Sequence, residues 1–232
     1  MQYLLNINNI DQSITLGLNG SDSLFWDNFM LTITNTWSWS LLILMLLYIL
    51  FKNNSIRNVF FILISIGIMI FVADRLCSGL IKPMVSRWRP TQDPQIMYLV
   101  DTVRDYRGGR FGFFSGHACN TMCVAMFLSH LFKSRKLSFA LFFWSITTTY
   151  TRIYLGVHYF GDITIGWIVG SLIGYVFYKL YSRLLNREEQ TYLSSGEYTE
   201  SGYKKTDLNN FIAVIIFNYI LLIIISLTIG IK

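Results

Sequence analysis

The chain has 232 residues, of which 53% are hydrophobic, 16% aromatic and only 14% charged, with 19 Lys+Arg against 13 Asp+Glu for a net charge of +6. Soluble domains carry about 25% charged residues, so this apolar excess, with a mean hydropathy of +0.45, points to an integral membrane protein. It excludes an intrinsically disordered chain, which needs low hydrophobicity and high charge, and three Cys are too few and too odd for a disulfide scaffold.

Residues 1–29 carry no basic n-region and no small-residue cleavage site, so a cleaved signal peptide is not expected. Phe25, Phe29, Ile33 and Trp37 recur every four residues. That spacing predicts an N-terminal amphipathic helix on the membrane surface, running into the first span; a first span that simply starts early fits the same residues. Crossing the hydrocarbon core takes about 20 mostly apolar residues. Six runs approach or meet this: 30–51, 59–81, 118–132, 137–155, 163–185 and 211–231. Thr32, Thr34, Asn35 and Thr36 weaken the first half of the first run. Asp74 and Arg75 interrupt the second, where they are expected to pair with neighbours or reach the interface. The third is short. The expected fold is all-α: a single domain over residues 1–232, an integral membrane bundle of about six transmembrane helices with an N-terminal amphipathic helix.

Basic residues lie between these runs, which reads as topology signals and as contacts with anionic lipid headgroups, with no nucleic acid partner expected. Lys52 and Arg57, then Lys133, Arg135 and Lys136, then Arg183, Arg187, Lys204 and Lys205, follow the first, third and fifth runs. Those three loops are therefore expected on the cytoplasmic side, including a flexible polar linker over residues 186–210. The loops after the second and fourth runs then face outward. Trp37, Trp39 and Trp88 fit an interfacial aromatic belt.

Three clusters sit at the outward ends of the second to fifth runs. The first is Lys82 followed, after six residues, by Arg89 and Pro90. The second is Phe114, Ser115, Gly116 and His117, opening the third run. The third is Thr151 and Arg152, with His158 and Asp162 beyond them. Arg offers a planar fork that matches phosphate oxygens in pairs, and Lys a point charge. Ser115 and Gly116 precede an apolar helix whose free N–H groups and dipole favour an anion. His158 and Asp162, four apart, share a helix face. A carboxylate there can accept from Nδ1–H and leave Nε2 free as a nucleophile. His117, at another helix start, can serve as general acid. No metal-ligand pattern joins the His residues to Cys77, Cys119 or Cys123, which read as buried small hydrophobes. Three cations and a helix terminus can replace a metal in phosphoryl transfer, so no cofactor and no metal is expected. Arg87 reads as an anchor or headgroup contact and His130 as unremarkable. The loop carrying Arg104, Arg107, Arg110, Asp101 and Asp105 reads as the reader of a headgroup.

These clusters, in this order, resemble the type 2 phosphatidic acid phosphatase family, which shares its core with vanadium haloperoxidases. The first motif matches in full. Phe114 stands where the family has Pro before Ser-Gly-His, and Thr151 where it has Ser before Arg. The resemblance implies that His158 forms a phosphohistidine, that Asp162 supports it and that His117 protonates the leaving group. It further implies that Lys82, Arg89, Ser115, Gly116 and Arg152 hold the phosphate.

The expected activity is metal-independent removal of a phosphate or diphosphate from a membrane lipid, whose tail enters laterally between helices. Undecaprenyl diphosphate is the favoured substrate, because the compact layout, with a surface N-terminal helix and only two spans before the first motif, resembles bacterial enzymes of that kind. Lipid A phosphate is the close alternative and phosphatidylglycerol phosphate or phosphatidic acid comes third. The expected location is a bacterial inner membrane, with the site facing the periplasm or exterior. A reading of another class, a non-catalytic anion-binding or transport protein, is disfavoured by the intact His158–Asp162 pair and His117. Oligomeric state is left open.

Overall fold

In the computed structural model, which describes residues 2–185 and 196–229, the chain is an all-α membrane bundle. Among the described residues the pairing outside helices is limited to two isolated bridges, Trp88 with Phe111 and Tyr198 with Lys204. The helices are α1 (Gln2–Gly17), α2 (Leu24–Thr34), α3 (Ser40–Asn53), α4 (Ile56–Asp74), α5 (Lys82–Val85), α6 (Gly116–Phe132), α7 (Arg135–Tyr154), α8 (Phe160–Leu184) and α9 (Lys205–Ile229). Among the described residues four stretches are individually long and apolar enough to cross a membrane: Thr36–Asn53, Ile56–Val85, Phe160–Leu184 and Lys205–Ile229. The other two expected spans form helices with different qualifications. α6 has only 17 residues, and α7 is diluted by Ser145, Thr147, Thr148, Thr149, Thr151 and Arg152. α6 is the inner helix, packed against α4, α7 and α8.

A stripe of glycines sets the tightest contact in the bundle. A Cβ at Gly166 would lie 2.8 Å from the Ser115 carbonyl oxygen, and one at Gly170 or Gly174 would lie 2.4 Å from the carbonyl oxygen of Cys119 or Cys123. Only glycine lets the α8 backbone lie directly on that of α6. All three cysteines are buried, as expected. The α6–α8 contact also brings the two helix starts together, where the Ser115 N–H donates to the Asp162 carbonyl at 3.0 Å.

At the opposite end, Lys52 pairs with Asp207 at 2.7 Å, joining α3 to α9. Tyr203 is buried, packed edge-on against Phe132, and its hydroxyl bonds Asn54. The loops after α3 and α6 and the approach to α9 therefore share one end, as the basic residues predict.

Several expectations need correction. Residues 30–51 are not one helix. The Asn35 side chain accepts the Trp37 N–H at 3.0 Å, an alternative to the helical ladder, and a 3₁₀ turn, Thr36–Trp39, follows. The four-residue periodicity is thus cut in two. Its first part is α2, packed on α7 and α9 with Met30 and Ile33 buried; Trp37 is left exposed. The interfacial role assigned to Trp39 fails: it is buried against Trp144 and Tyr219, with Nε1–H donating to the Ile33 carbonyl at 2.9 Å. The amphipathic helix nearest the N-terminus is α1, which leaves Ile10 and Ile14 exposed while its other face meets α8. Within the expected flexible linker, residues 186–195 lie outside the described residues, but residues 196–204 are docked on the bundle through Thr199 and Tyr203. α9 starts at Lys205, earlier than its apolar run.

Candidate active site

All three motif clusters converge at the end where α6 and α8 begin. α4 leads into a π-helical turn, Arg75–Ile81, then α5; π-bulges are common at functional sites. That turn delivers Lys82. Asp74 is exposed and accepts from Ser78 at 3.3 Å, and Arg75 lies over the Phe71 ring. Ser115 caps α6, its Oγ accepting the Ala118 N–H at 3.4 Å, so the α6 N-terminus presents Gly116 and His117 to the site. Phe114 is buried and its carbonyl accepts from the Cys77 thiol at 3.1 Å; the peptide before it is cis. The stretch 151–159 is buried throughout. The Thr151 hydroxyl donates to the Thr148 carbonyl at 2.6 Å, turned to its own helix.

The imidazole of His158 is held from both sides. Nδ1 lies 3.3 Å from Asp162 Oδ2. Nε2 lies 3.3 Å from Arg89 Nη1. A guanidinium can only donate, so this network assigns the proton to Nδ1 and the lone pair to Nε2. Burial, reinforced by Arg89, Arg152, Lys82 and His117, holds the imidazole well below its usual range, hence neutral. Asp162 Oδ2 also accepts the Tyr159 N–H at 3.1 Å, fixing the carboxylate on the first turn of α8.

Both motif arginines are buried. Arg89 Nη1 donates to the Val157 carbonyl at 2.9 Å. Arg152 Nη1 donates to Thr34 Oγ1 at 2.7 Å and to the Tyr106 hydroxyl at 2.9 Å. The Nε of each has no partner among the described residues, and Lys82 makes no hydrogen bond or ion pair among them either. Burial with the nearby Arg152 charge lowers the affinity of Arg89 for its proton. His117 lines an apolar cavity of about 470 Å³ that runs between α3, α4, α6 and α7, with Leu46, Ile66, Val124 and Leu128 in its walls.

Sequence reasoning missed several of these contacts. Arg87 is no headgroup anchor. It donates to Asp162 Oδ1 at 2.8 Å and to Asp11 Oδ2 at 2.7 Å. Asp11 and Thr15 of α1 accept the Gly161 and Phe160 N–H groups at 2.7 and 3.0 Å. The spacing of Ile7, Ile10, Ile14 and Leu18 is the one signal that marks this helix. Of the expected headgroup readers, Arg104 donates to Asn28 at 2.5 Å and Arg107 to the Thr91 carbonyl at 3.3 Å. Arg110 lies exposed over the Trp88 ring. His130 stacks on Tyr178, away from the site. No group of three His, Cys, Asp or Glu is gathered for a metal among the described residues.

A membrane bundle whose helix starts collect a neutral, oriented histidine and three cations, Lys82, Arg89 and Arg152, that no carboxylate pairs among the described residues has the chemistry to hold a phosphate ester. Residues 59–185 match the PAP2 superfamily, more than half of the chain, and the protein belongs to that superfamily. It is similar to the lipid A 4'-phosphatase of Bacteroides thetaiotaomicron, 37% identical over 203 residues, covering 87% of this chain and 89% of that protein. It is also similar to the lipid A 4'-phosphatase of Porphyromonas gingivalis, 33% identical over 183 residues, covering 78% and 75%. No solved structure matches. The protein is thus an integral membrane lipid phosphatase. Both relatives are named for lipid A, which reverses the expected order of substrates: the alternative reading is better supported than undecaprenyl diphosphate.

Proposed function

We propose that this enzyme removes the 4'-phosphate of lipid A through a phosphohistidine on His158, at the outward face of a bacterial inner membrane. The observation that carries the phosphate chemistry is the charge count. Lys82, Arg87, Arg89 and Arg152 face Asp11 and Asp162, which leaves two positive charges over with His158 neutral. A phosphate monoester carries about −1.5 to −2 at pH 7, and its oxygens would satisfy the idle N–H groups of Arg89 and Arg152. A Cβ at Gly116 would meet only Cys77 Sγ, at an ordinary 3.5 Å, so the protein itself leaves room there for a ligand. Identity to lipid A 4'-phosphatases supports the choice of lipid and of position.

In this reading the His158 Nε2 lone pair attacks phosphorus while the bond to the sugar oxygen breaks. His117, neutral in the free site and protonated as the phosphate dianion binds, gives that oxygen its proton. The Nδ1–H bond to Asp162 stabilises the charge on the ring. Water then attacks the phosphohistidine, its proton passes to His117, and inorganic phosphate leaves. Lys82, Arg89, Arg152 and the α6 N-terminus hold the phosphoryl oxygens throughout. The cavity lies beyond His117, on the side the leaving lipid occupies, and takes an acyl chain. The basic loops gather at the other end of the bundle, consistent with a site on the outward side.

The test is phosphate release in detergent with EDTA present, from lipid A phosphorylated at the 4' position, lipid A phosphorylated only at the 1 position, undecaprenyl diphosphate, phosphatidylglycerol phosphate and phosphatidic acid. Release is expected to be fastest from the 4'-phosphorylated lipid A and to fall by at least about 10³-fold in His158→Ala. Preferred release from undecaprenyl diphosphate, or a His158→Ala variant near full activity, would overturn the reading.

A further inference from the structure

We propose that Arg87, clamped by Asp11, is a positioning residue for the reaction: it holds the Asp162 carboxylate ionised and in the rotation that serves His158. This rests on the histidine reading above. The two oxygens of Asp162 are divided. Oδ2 faces His158 Nδ1 at 3.3 Å and accepts the Tyr159 N–H at 3.1 Å. Among the described residues Oδ1 accepts only from Arg87, at 2.8 Å. Asp162 is completely buried, and a buried carboxylate is costly without an opposite charge. The histidine it serves is neutral. Arg89 and Arg152 retain idle N–H groups on their forks, and Lys82 is unengaged. Arg87 is the cation that touches the carboxylate.

Its own fork is fully committed. Nη1 goes to Asp162, Nη2 goes to Asp11 at 2.7 Å, and the guanidinium lies 3.9 Å from the centroid of the Tyr159 ring. Asp11 in turn accepts the Gly161 N–H at 2.7 Å through its other oxygen, so it is fixed to the same turn of α8 that carries Asp162. The result is a closed circuit, Asp162 to Arg87 to Asp11 to the α8 backbone, in which no member can rotate without breaking a charged hydrogen bond. An arginine meant to grip substrate would not be tied at both ends. Lysine could not reproduce the arrangement, because a point charge does not span two carboxylates in fixed directions.

Two readouts separate positioning from a merely structural role. Outer-shell partners of metal-bound histidines are worth about 10–100-fold when removed, and a loss of that order is expected here. Arg87→Gln, and more weakly Arg87→Lys and Asp11→Asn, should lower kcat while KM changes little, since the phosphate-holding groups are untouched. The acid limb of kcat/KM should also move to higher pH in Arg87→Gln. The groups facing the His158–Asp162 pair are Lys82 of α5, Arg87 and Arg89 of the following loop, Asp11 of α1, His117 of α6 and Arg152 of α7. Removing one cation from that set makes both members easier to protonate. Arg87→Lys keeps the charge, so its limb should stay in place.

The experiment measures kcat, KM and the pH profile of the full-length purified variants on p-nitrophenyl phosphate and on the lipid A substrate, with folding checked by thermal melting. A loss confined to kcat, with the shifted limb in Arg87→Gln, supports the proposal. A folded Arg87→Gln with wild-type kcat and pH profile overturns it. If Arg87→Gln does not fold, a wild-type kcat in Asp11→Asn does so. Wild-type protein inactive on both substrates would instead overturn the phosphatase reading on which the proposal stands.

Discussion

His158 shows what burial and neighbouring charge do to one ring. Its neutral form is favoured well below the usual imidazole range. In the proposed mechanism protonation of Nε2 would remove the nucleophile, so a depressed value keeps the enzyme competent as the medium acidifies. The acid limb of kcat/KM is therefore expected below about pH 6.5, measured on p-nitrophenyl phosphate; a limb at or above that value would contradict the assignment. The same depression acts on stability with a definite sign. Below about pH 6.5 the unfolded chain takes up a proton that the folded chain refuses, so this group's contribution is lost as pH falls. At this scale the sequence was most informative about residues inside motifs. His117, His158, Asp162, Lys82, Arg89 and Arg152 all meet at one end of the bundle. Asp11, Thr34 and Tyr106 were not legible, because each reaches the site across a large sequence gap, such as the 76 residues between Asp11 and Arg87. No local pattern encodes such a pairing.

At the level of elements, apolar runs located α3, α4, α6, α7, α8 and α9 but misjudged where they break. Asn35 reads as one weak position in a hydrophobic run, yet its side chain offers the backbone a competing partner and ends α2. The docked segment before α9 was misread for a similar reason: residues 196–204 look polar, while Thr199 and Tyr203 find buried seats that composition does not reveal. The glycine stripe of α8 was also silent in the sequence, since glycine is ordinary in a membrane helix. Its weight shows in a substitution. Gly170→Leu places a branched side chain where even a Cβ would be 2.4 Å from the Cys119 carbonyl oxygen. Overpacking typically costs about 1–3 kcal/mol, and here the obstacle is backbone. The variant should melt at a lower temperature in detergent and lose activity with it, because α6 and α8 carry His117 and Asp162. An unchanged melting temperature would show that the two helices can separate without consequence.

For the molecule as a whole, the bundle divides its labour between two ends. One gathers the residues proposed for the phosphate chemistry, the other ties α3, α6 and α9 together through Asp207 and Tyr203. Between them the cavity beside His117 connects the chemistry to the apolar interior. Filling it with Val124→Trp should reduce turnover of lipid A far more than turnover of p-nitrophenyl phosphate, by roughly tenfold or about 1.4 kcal/mol in the ratio of their kcat/KM values. Equal losses on both substrates would mean that the acyl chain lies elsewhere. The seat of α1 has a consequence for biogenesis. Asp11 must find the N–H of Gly161, made 150 residues later. At about 5–20 residues per second of synthesis, that gap lasts on the order of ten seconds. During that interval the first helix exists without the turn it caps, and the Asp162 carboxylate proposed to serve His158 does not yet exist. Assembly of the proposed catalytic centre thus waits for the synthesis of α8, and on that reading the nascent enzyme stays silent until most of its chain is in place.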